Sequence, residues 1–135
     1  MKRTYRDDLL YPELSYQIIG VLFEVSNTLG HGFQEKDFQK AIVTLFKKLG
    51  IKFNEQVLVK IKINDTVIRK GKLDFIVDDK IILEIKKGEK FLKDNIDQTY
   101  RYLKMTGLKL GILANFTSKG LMYKRIVNIR NSLNS

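Results

Sequence analysis

At 135 residues the chain is long enough for one domain with a sizeable core, and its 44% hydrophobic and 30% charged residues are those of an ordinary globular protein. It contains no cysteine, which excludes disulfides, zinc–thiolate sites and a thiol nucleophile. The net charge of +10 is uneven: residues 1–85 hold 14 basic and 12 acidic side chains, and residues 86–135 hold 11 basic and 3 acidic. A polyanionic partner such as nucleic acid would account for that asymmetry; a merely basic, solvated surface is the plain alternative. An anionic membrane surface is a poorer one, because no basic amphipathic helix stands out. No apolar run approaches a membrane span, and the start MKRTYRDDLLYPE lacks a signal-peptide core, so the cytoplasm is expected.

In chain order, Pro12 suits the first turn of a helix, and Gly30 and Gly32 mark its far end, which predicts a helix over 13–29. A second helix is expected from about Gln34 to Leu49, with Gly50 just past its end. Phe38, Ala41, Ile42, Leu45, Phe46 and Leu49 recur at offsets of three and four and define its buried face. Glu35 lies at the N-terminal edge of that face. The period then changes to two: Val57, Val59, Ile61 and Ile63 alternate with Leu58, Lys60 and Lys62, a half-buried strand closed by Asn64-Asp65. A second strand covers about Val67 to Val77, with a bulge expected at Gly71, and a third runs from Ile81 to Lys86. Residues 91–106 read as a helix burying Leu92, Ile96, Tyr100 and Leu103. LGILAN (Leu110–Asn115) is a short apolar strand, and Leu121 to Ile129 a final alternating one. Met105 and Met122 read as core filler. The expected fold is α/β (α+β), a mixed sheet flanked by helices in the order α-α-β-β-β-α-β-β, spanning residues 1–135 as a single domain.

The polar residues of the middle hairpin, LDFIVDDKIILEIK (Leu73–Lys86), select its register. A two-residue turn at Asp78-Asp79 would pair Asp74 with Leu83 and put Glu84 on the opposite face. A three-residue loop, Asp78 to Lys80, pairs Asp74 with Glu84 and gathers Phe75, Val77, Ile81, Leu83 and Ile85 on the other face, which burial favours. Glu84 and Lys86, two apart in a strand, share a face. Two carboxylates and an ammonium are costly among so many apolar side chains unless they hold a metal, a substrate or each other. Asp74 and Glu84 suit Mg²⁺ (or Mn²⁺), and Lys86 could orient a water or offset charge on a phosphate. Taken alone, the pattern is more often that of a surface Glu–Lys pair on an edge strand, because it is short and its residues are common.

Asp-x(9)-Glu-x-Lys between apolar strands, with a helix on either side, resembles the PD-(D/E)XK nuclease superfamily, and nearly the whole chain resembles its GxxExxY family. The carrying residues are Gly32-Phe33-Gln34-Glu35-Lys36-Asp37-Phe38, Leu73-Asp74-Phe75, Leu83-Glu84-Ile85-Lys86, Gln98, Tyr102-Leu103-Lys104, Thr106-Gly107 and Leu110–Phe116. The resemblance implies a restriction-endonuclease-like core, with Glu35 donated by the preceding helix and Gln98 an accessory residue on the crossover helix. Two positions depart from the pattern: Phe38 replaces the family's tyrosine, and Asn95 stands where histidine is often found. Both bear on hydrogen bonding around the site rather than on the Asp-Glu-Lys set.

The expectation is therefore a Mg²⁺-dependent nuclease, DNA favoured over RNA. Asp74 and Glu84 are its metal ligands, Lys86, Glu35 and Gln98 its catalytic residues, and Lys87, Lys90 and Tyr102 its substrate contacts. A catalytically silent nucleic-acid-binding module, or a subunit of a larger complex, is the alternative. A homodimeric, structure-selective resolvase is a weaker one. His31 lies alone between two glycines, so a histidine-based triad has nothing to build on.

Overall fold

A computed structural model of the chain describes residues 10–128. The elements follow in the order α1 (Pro12–Leu29), α2 (Glu35–Leu49), β1 (Phe53–Ile63), β2 (Thr66–Val77), β3 (Ile81–Lys87), α3 (Lys93–Thr106), β4 (Leu110–Thr117) and β5 (Gly120–Val127). The expected α-α-β-β-β-α-β-β order is the observed one, and Ile129 lies outside the described residues. The five strands form one sheet in the order β1-β2-β3-β4-β5. All neighbours are antiparallel except β3 and β4, which run parallel and are joined by α3 as the crossover.

The sheet is covered on both faces. On one, Ile18, Leu22 and Val25 of α1 and Phe38, Ile42 and Phe46 of α2 pack on Phe75, Val77, Ile81, Leu83 and Ile85. On the other, Tyr102 and Leu103 of α3 pack on Leu73, Ile82, Leu113 and Ile126. This double cover buries most of β3 and β4, whose sequences are largely apolar outside Glu84, Lys86, Lys87, Asn115 and Thr117. It also explains why Leu49 and Leu92, expected in the core, are exposed: each lies at a helix end beyond the sheet it would cover. Met105 joins the α3-side core, whereas Met122 is exposed on the edge strand β5.

Gly71 is not a bulge. It pairs regularly with Val59, and the register shift falls between Ile61 and Lys62 instead. What requires glycine is Tyr102: a Cβ at position 71 would sit 2.6 Å from its ring. Gly111 serves α3 in the same way, since a Cβ there would meet Thr99 Cγ2 at 2.9 Å.

β1 starts at Phe53, four residues before the expected Val57, and an irregularity lies in the added stretch. Val57 and Val59 pack with α3 but Phe53 packs with α1 and α2; likewise Leu73 faces α3 while Phe75 and Val77 face the other layer. Strict alternation would keep each odd-numbered set on one face. Both strands therefore roll over between the pairs Val57↔Leu73 and Glu55↔Phe75. Gln56, at φ +52°, and Asp74 occupy that point.

Candidate active site

The hairpin joining β2 to β3 pairs Val77 with Ile81, Ile76 with Ile82 and Phe75 with Leu83, so Asp78–Lys80 is the three-residue loop expected. Asp78 and Asp79 both take left-handed backbone angles, φ +52° and +56°, which aspartate tolerates in turns. One step beyond Phe75↔Leu83, Asp74 comes opposite Glu84. There the ladder gives way to a crossed pair of bonds from backbone to side chain. The Asp74 N–H donates to Glu84 Oε2 at 2.7 Å, and the Ile85 N–H donates to Asp74 Oδ2 at 2.8 Å. Each carboxylate holds the other's strand, and each keeps one oxygen outside these bonds.

Their setting raises the pKa of both carboxyls above the ordinary value. Burial is the main cause at Asp74, opposed by the Ile85 N–H and the Lys86 charge and reinforced by Glu35. At Glu84, only 2% exposed, burial and then the Asp74 charge push the pKa up to about 8, against the Asp74 N–H and Lys86. Burial and mutual repulsion thus disfavour two full negative charges on the pair, and the Lys86 charge only partly offsets them.

Glu35 is the third acid at this point. Phe38, one turn along α2, stacks on Phe116 with ring centres 4.2 Å apart and planes 12° from parallel. Phe116 pairs with Lys87, the residue after Lys86. This stack brings the start of α2 to the end of β3, where Glu35 Oε2 accepts from the Lys87 N–H at 3.3 Å. The Asp37 carboxylate caps that end by accepting from the Gln34 N–H. Phe38 is 2% exposed, so its missing hydroxyl leaves no buried oxygen to be satisfied.

Asp74, Glu84, Lys86 and Glu35 are thus brought together. Lys87 ends β3 and Lys90 lies on the loop after it, both exposed. Lys87 also lines a cavity of about 190 Å³ with His31, Phe38, Gly88, Phe116 and Ser118. Gln98 is half-buried on α3, and among the described residues the hydrogen bonds of the cluster do not include it. Tyr102, expected to touch substrate, is instead a core residue, 7% exposed. Its ring fills the space at Gly71, and its hydroxyl donates to the Lys72 carbonyl at 3.4 Å.

Two further residues shape this region. Asn115, 1% exposed and paired with Lys86, donates from Nδ2 to the carbonyls of Gly88 (3.3 Å) and Lys90 (2.8 Å), strapping the lysine loop to β4. Glu89 fastens the same loop by accepting from the Ser118 N–H and Oγ–H at 2.8 and 2.6 Å. The signal for Asn115 was present: an amide in an otherwise apolar strand needs partners when buried.

Among the described residues, no three or more His, Cys, Asp or Glu side chains form a group that could hold a metal ion. The donor chemistry still fits a hard divalent cation. Such an ion binds through one or two carboxylates and keeps several waters, and a buried acid pair left under-neutralised is what it would complete.

Residues 12–127 match the profile of the PD-(D/E)XK nuclease superfamily. Among solved structures, SSO0001 is similar in fold, with a TM-score of 0.56 and 18% identity over 91% of this chain. The match covers 61% of SSO0001, so this chain spans about three-fifths of its length. An alkaline exonuclease from Laribacter hongkongensis (LHK-Exo) also matches, with a TM-score of 0.49 and 11% identity over 89% of this chain and 85% of that one. Comparison with curated proteins gives no match. The chain belongs to the PD-(D/E)XK nuclease superfamily.

Proposed function

We propose that the chain is a nuclease of the GxxExxY type that hydrolyses phosphodiester bonds in DNA and uses Mg²⁺ or Mn²⁺. The observation that carries this reading is the crossed pair of bonds between Asp74 and Glu84, with Lys86 and Glu35 alongside. Nucleases of this superfamily generally use divalent metal ions. Asp74 and Glu84 would hold the ion, which when bound supplies Lewis acidity toward a phosphoryl oxygen and a more acidic water.

The chain's own residues do the rest. The N–H groups of Asp74 and Ile85 fix the two carboxylates, so the site is set before substrate arrives. Lys86 places an ammonium beside them, where it can donate to an attacking water or to a non-bridging phosphate oxygen as charge builds. Glu35, anchored to the Lys87 N–H, can accept a proton from that water. Lys87, at the end of β3, and Lys90, on the strapped loop, would contact the phosphates flanking the scissile bond. Gln98 is kept as an accessory residue on α3.

The test is nicking of supercoiled plasmid by purified protein with Mg²⁺, Mn²⁺ or EDTA, beside Asp74→Asn. Metal-dependent nicking lost in the variant supports the reading. If wild-type protein binds DNA but cuts neither DNA nor RNA with any divalent ion, the silent binding-module reading replaces it.

A further inference from the structure

The free end of the β1–β2 hairpin lies outside the site just described. Every residue from 60 to 70 is exposed, so this two-stranded ribbon projects beyond the last packing contacts, Val59 and Gly71 on α3. The register pairs Leu58 with Lys72, Lys60 with Lys70 and Lys62 with Val67. By alternation these side chains share one face, which carries four lysines. Lys60 and Lys70 are directly opposed, an arrangement that destabilises a sheet. Asp65, in the turn, is the ribbon's sole acid. Among the described residues none of the four lysines forms an ion pair.

We propose that this ribbon, Leu58–Lys72, is an arm that grips the phosphate backbone of duplex DNA away from the point of cleavage. The substrate class rests on the nuclease reading above; the arm itself rests on the lysine face. A row of like charges with no partners in the fold gains its counter-charge from a polyanion, which releases its own counterions on contact. Same-face residues of a strand lie about 6.8 Å apart, twice the axial rise of about 3.4 Å per nucleotide along one DNA strand. Lysine's flexible point charge suits phosphates rather than base edges. Gly71 and Leu73 face α3, so Lys70 and Lys72 lie on the opposite face of the sheet from Glu84, and the arm meets DNA apart from the carboxylates. The exposed Leu58 (79%), Ile63 (63%) and Ile68 (57%) suggest a second copy of the chain as the rival occupant. Two such lysine faces would repel each other, which favours DNA.

The test compares wild type with the combined Lys60→Gln, Lys62→Gln, Lys70→Gln and Lys72→Gln variant, and with the matching Lys→Arg variant. Binding of a labelled blunt duplex is followed by fluorescence anisotropy in EDTA across a salt series, and circular dichroism checks the fold. The Gln variant should bind about tenfold or more weakly, with its slope of log affinity against log salt reduced by about 3–4; the Arg variant should keep the wild-type slope. An unchanged slope in the Gln variant overturns the proposal, as does equal loss in both variants. It is also overturned if Leu58→Ser with Ile63→Ser and Ile68→Ser turns a dimer into a monomer without touching DNA binding. If wild type shows the lysine-dependent slope yet never nicks DNA, the nuclease reading falls and the arm stands. If it nicks DNA while the slope ignores the lysines, the arm alone falls.

Discussion

From Thr66 to Lys72, β2 is almost wholly in water, and its charges are cations that form no ion pair among the described residues; from Leu73 to Val77 the same strand is packed between two layers, and its one charge is a carboxyl. The halves share a backbone and a partner strand, so the difference lies in what covers them. Where α3 stops, a lysine keeps its hydration and remains available to a ligand. Where both layers close, desolvation governs and raises the pKa of Asp74 and Glu84. The roll at Gln56 and Asp74 falls within the buried half, one residue past Leu73, and turns the strand from one packing face to the other.

The largest effect should come from the buried half. Asp74→Asn keeps an oxygen for the Ile85 N–H but removes the charge, and should lower metal-dependent nicking by about a thousand-fold or more, with metal affinity by calorimetry falling in parallel. Lys86→Ala should leave metal binding measurable and reduce the rate by about a hundred- to a thousand-fold, a loss of charge stabilisation rather than of a ligand. Because Lys86 opposes the upward shift of both carboxyls, the pH–rate profile of that variant should also move to higher pH.

Stability separates the halves as well. Leu73→Ala, at a fully buried position, should cost about 2–5 kcal/mol by urea unfolding, whereas Ile63→Ala on the ribbon should change it by about 0.5 kcal/mol or less. Equal losses would mean that the ribbon is covered in solution. The smallest contrast concerns pH. Glu84's folded pKa of about 8 lies above its ordinary 4.5, so the folded chain holds a proton that the unfolded chain releases. That stabilisation is full below about pH 4.5 and is lost as pH rises through about 8. Metal-free protein should therefore melt at progressively lower temperature between about pH 5 and pH 9, and Glu84→Gln should flatten the trend. Saturating Mg²⁺ should restore the wild type at high pH and not the variant.

The hairpin register was legible because two constraints agreed. Period-two burial demanded that Phe75, Val77, Ile81, Leu83 and Ile85 share a face, and the carboxylates demanded each other; only a three-residue loop satisfies both. Glu35's approach was legible from its place on the α2 face, and Phe38's stack on Phe116 carries it out. What the sequence concealed depends on distant partners. Glycine in a strand can mark a bulge or a close approach, and only Tyr102, in a different element, decides between them at Gly71. Tyr102 itself shares a helix face with Gln98, a spacing that does not reveal which of the two meets the sheet. The expected strand begins at Val57, and the strand character of Phe53-Asn54-Glu55-Gln56 comes from pairing with β2 across the roll.

Strands adjacent in the sheet are also adjacent in the chain throughout β1 to β5. Three of the four pairings are therefore antiparallel neighbours, β1 with β2, β2 with β3 and β4 with β5, that can zip from short turns with little loop-closure entropy. The parallel pairing of β3 with β4 is the exception, since it must wait for α3 to form and cross the sheet. Assembly is thus expected to divide at that seam, with two locally formed sheets docking in a single slower step, and Asn115's strap between β4 and the loop after β3 closing last.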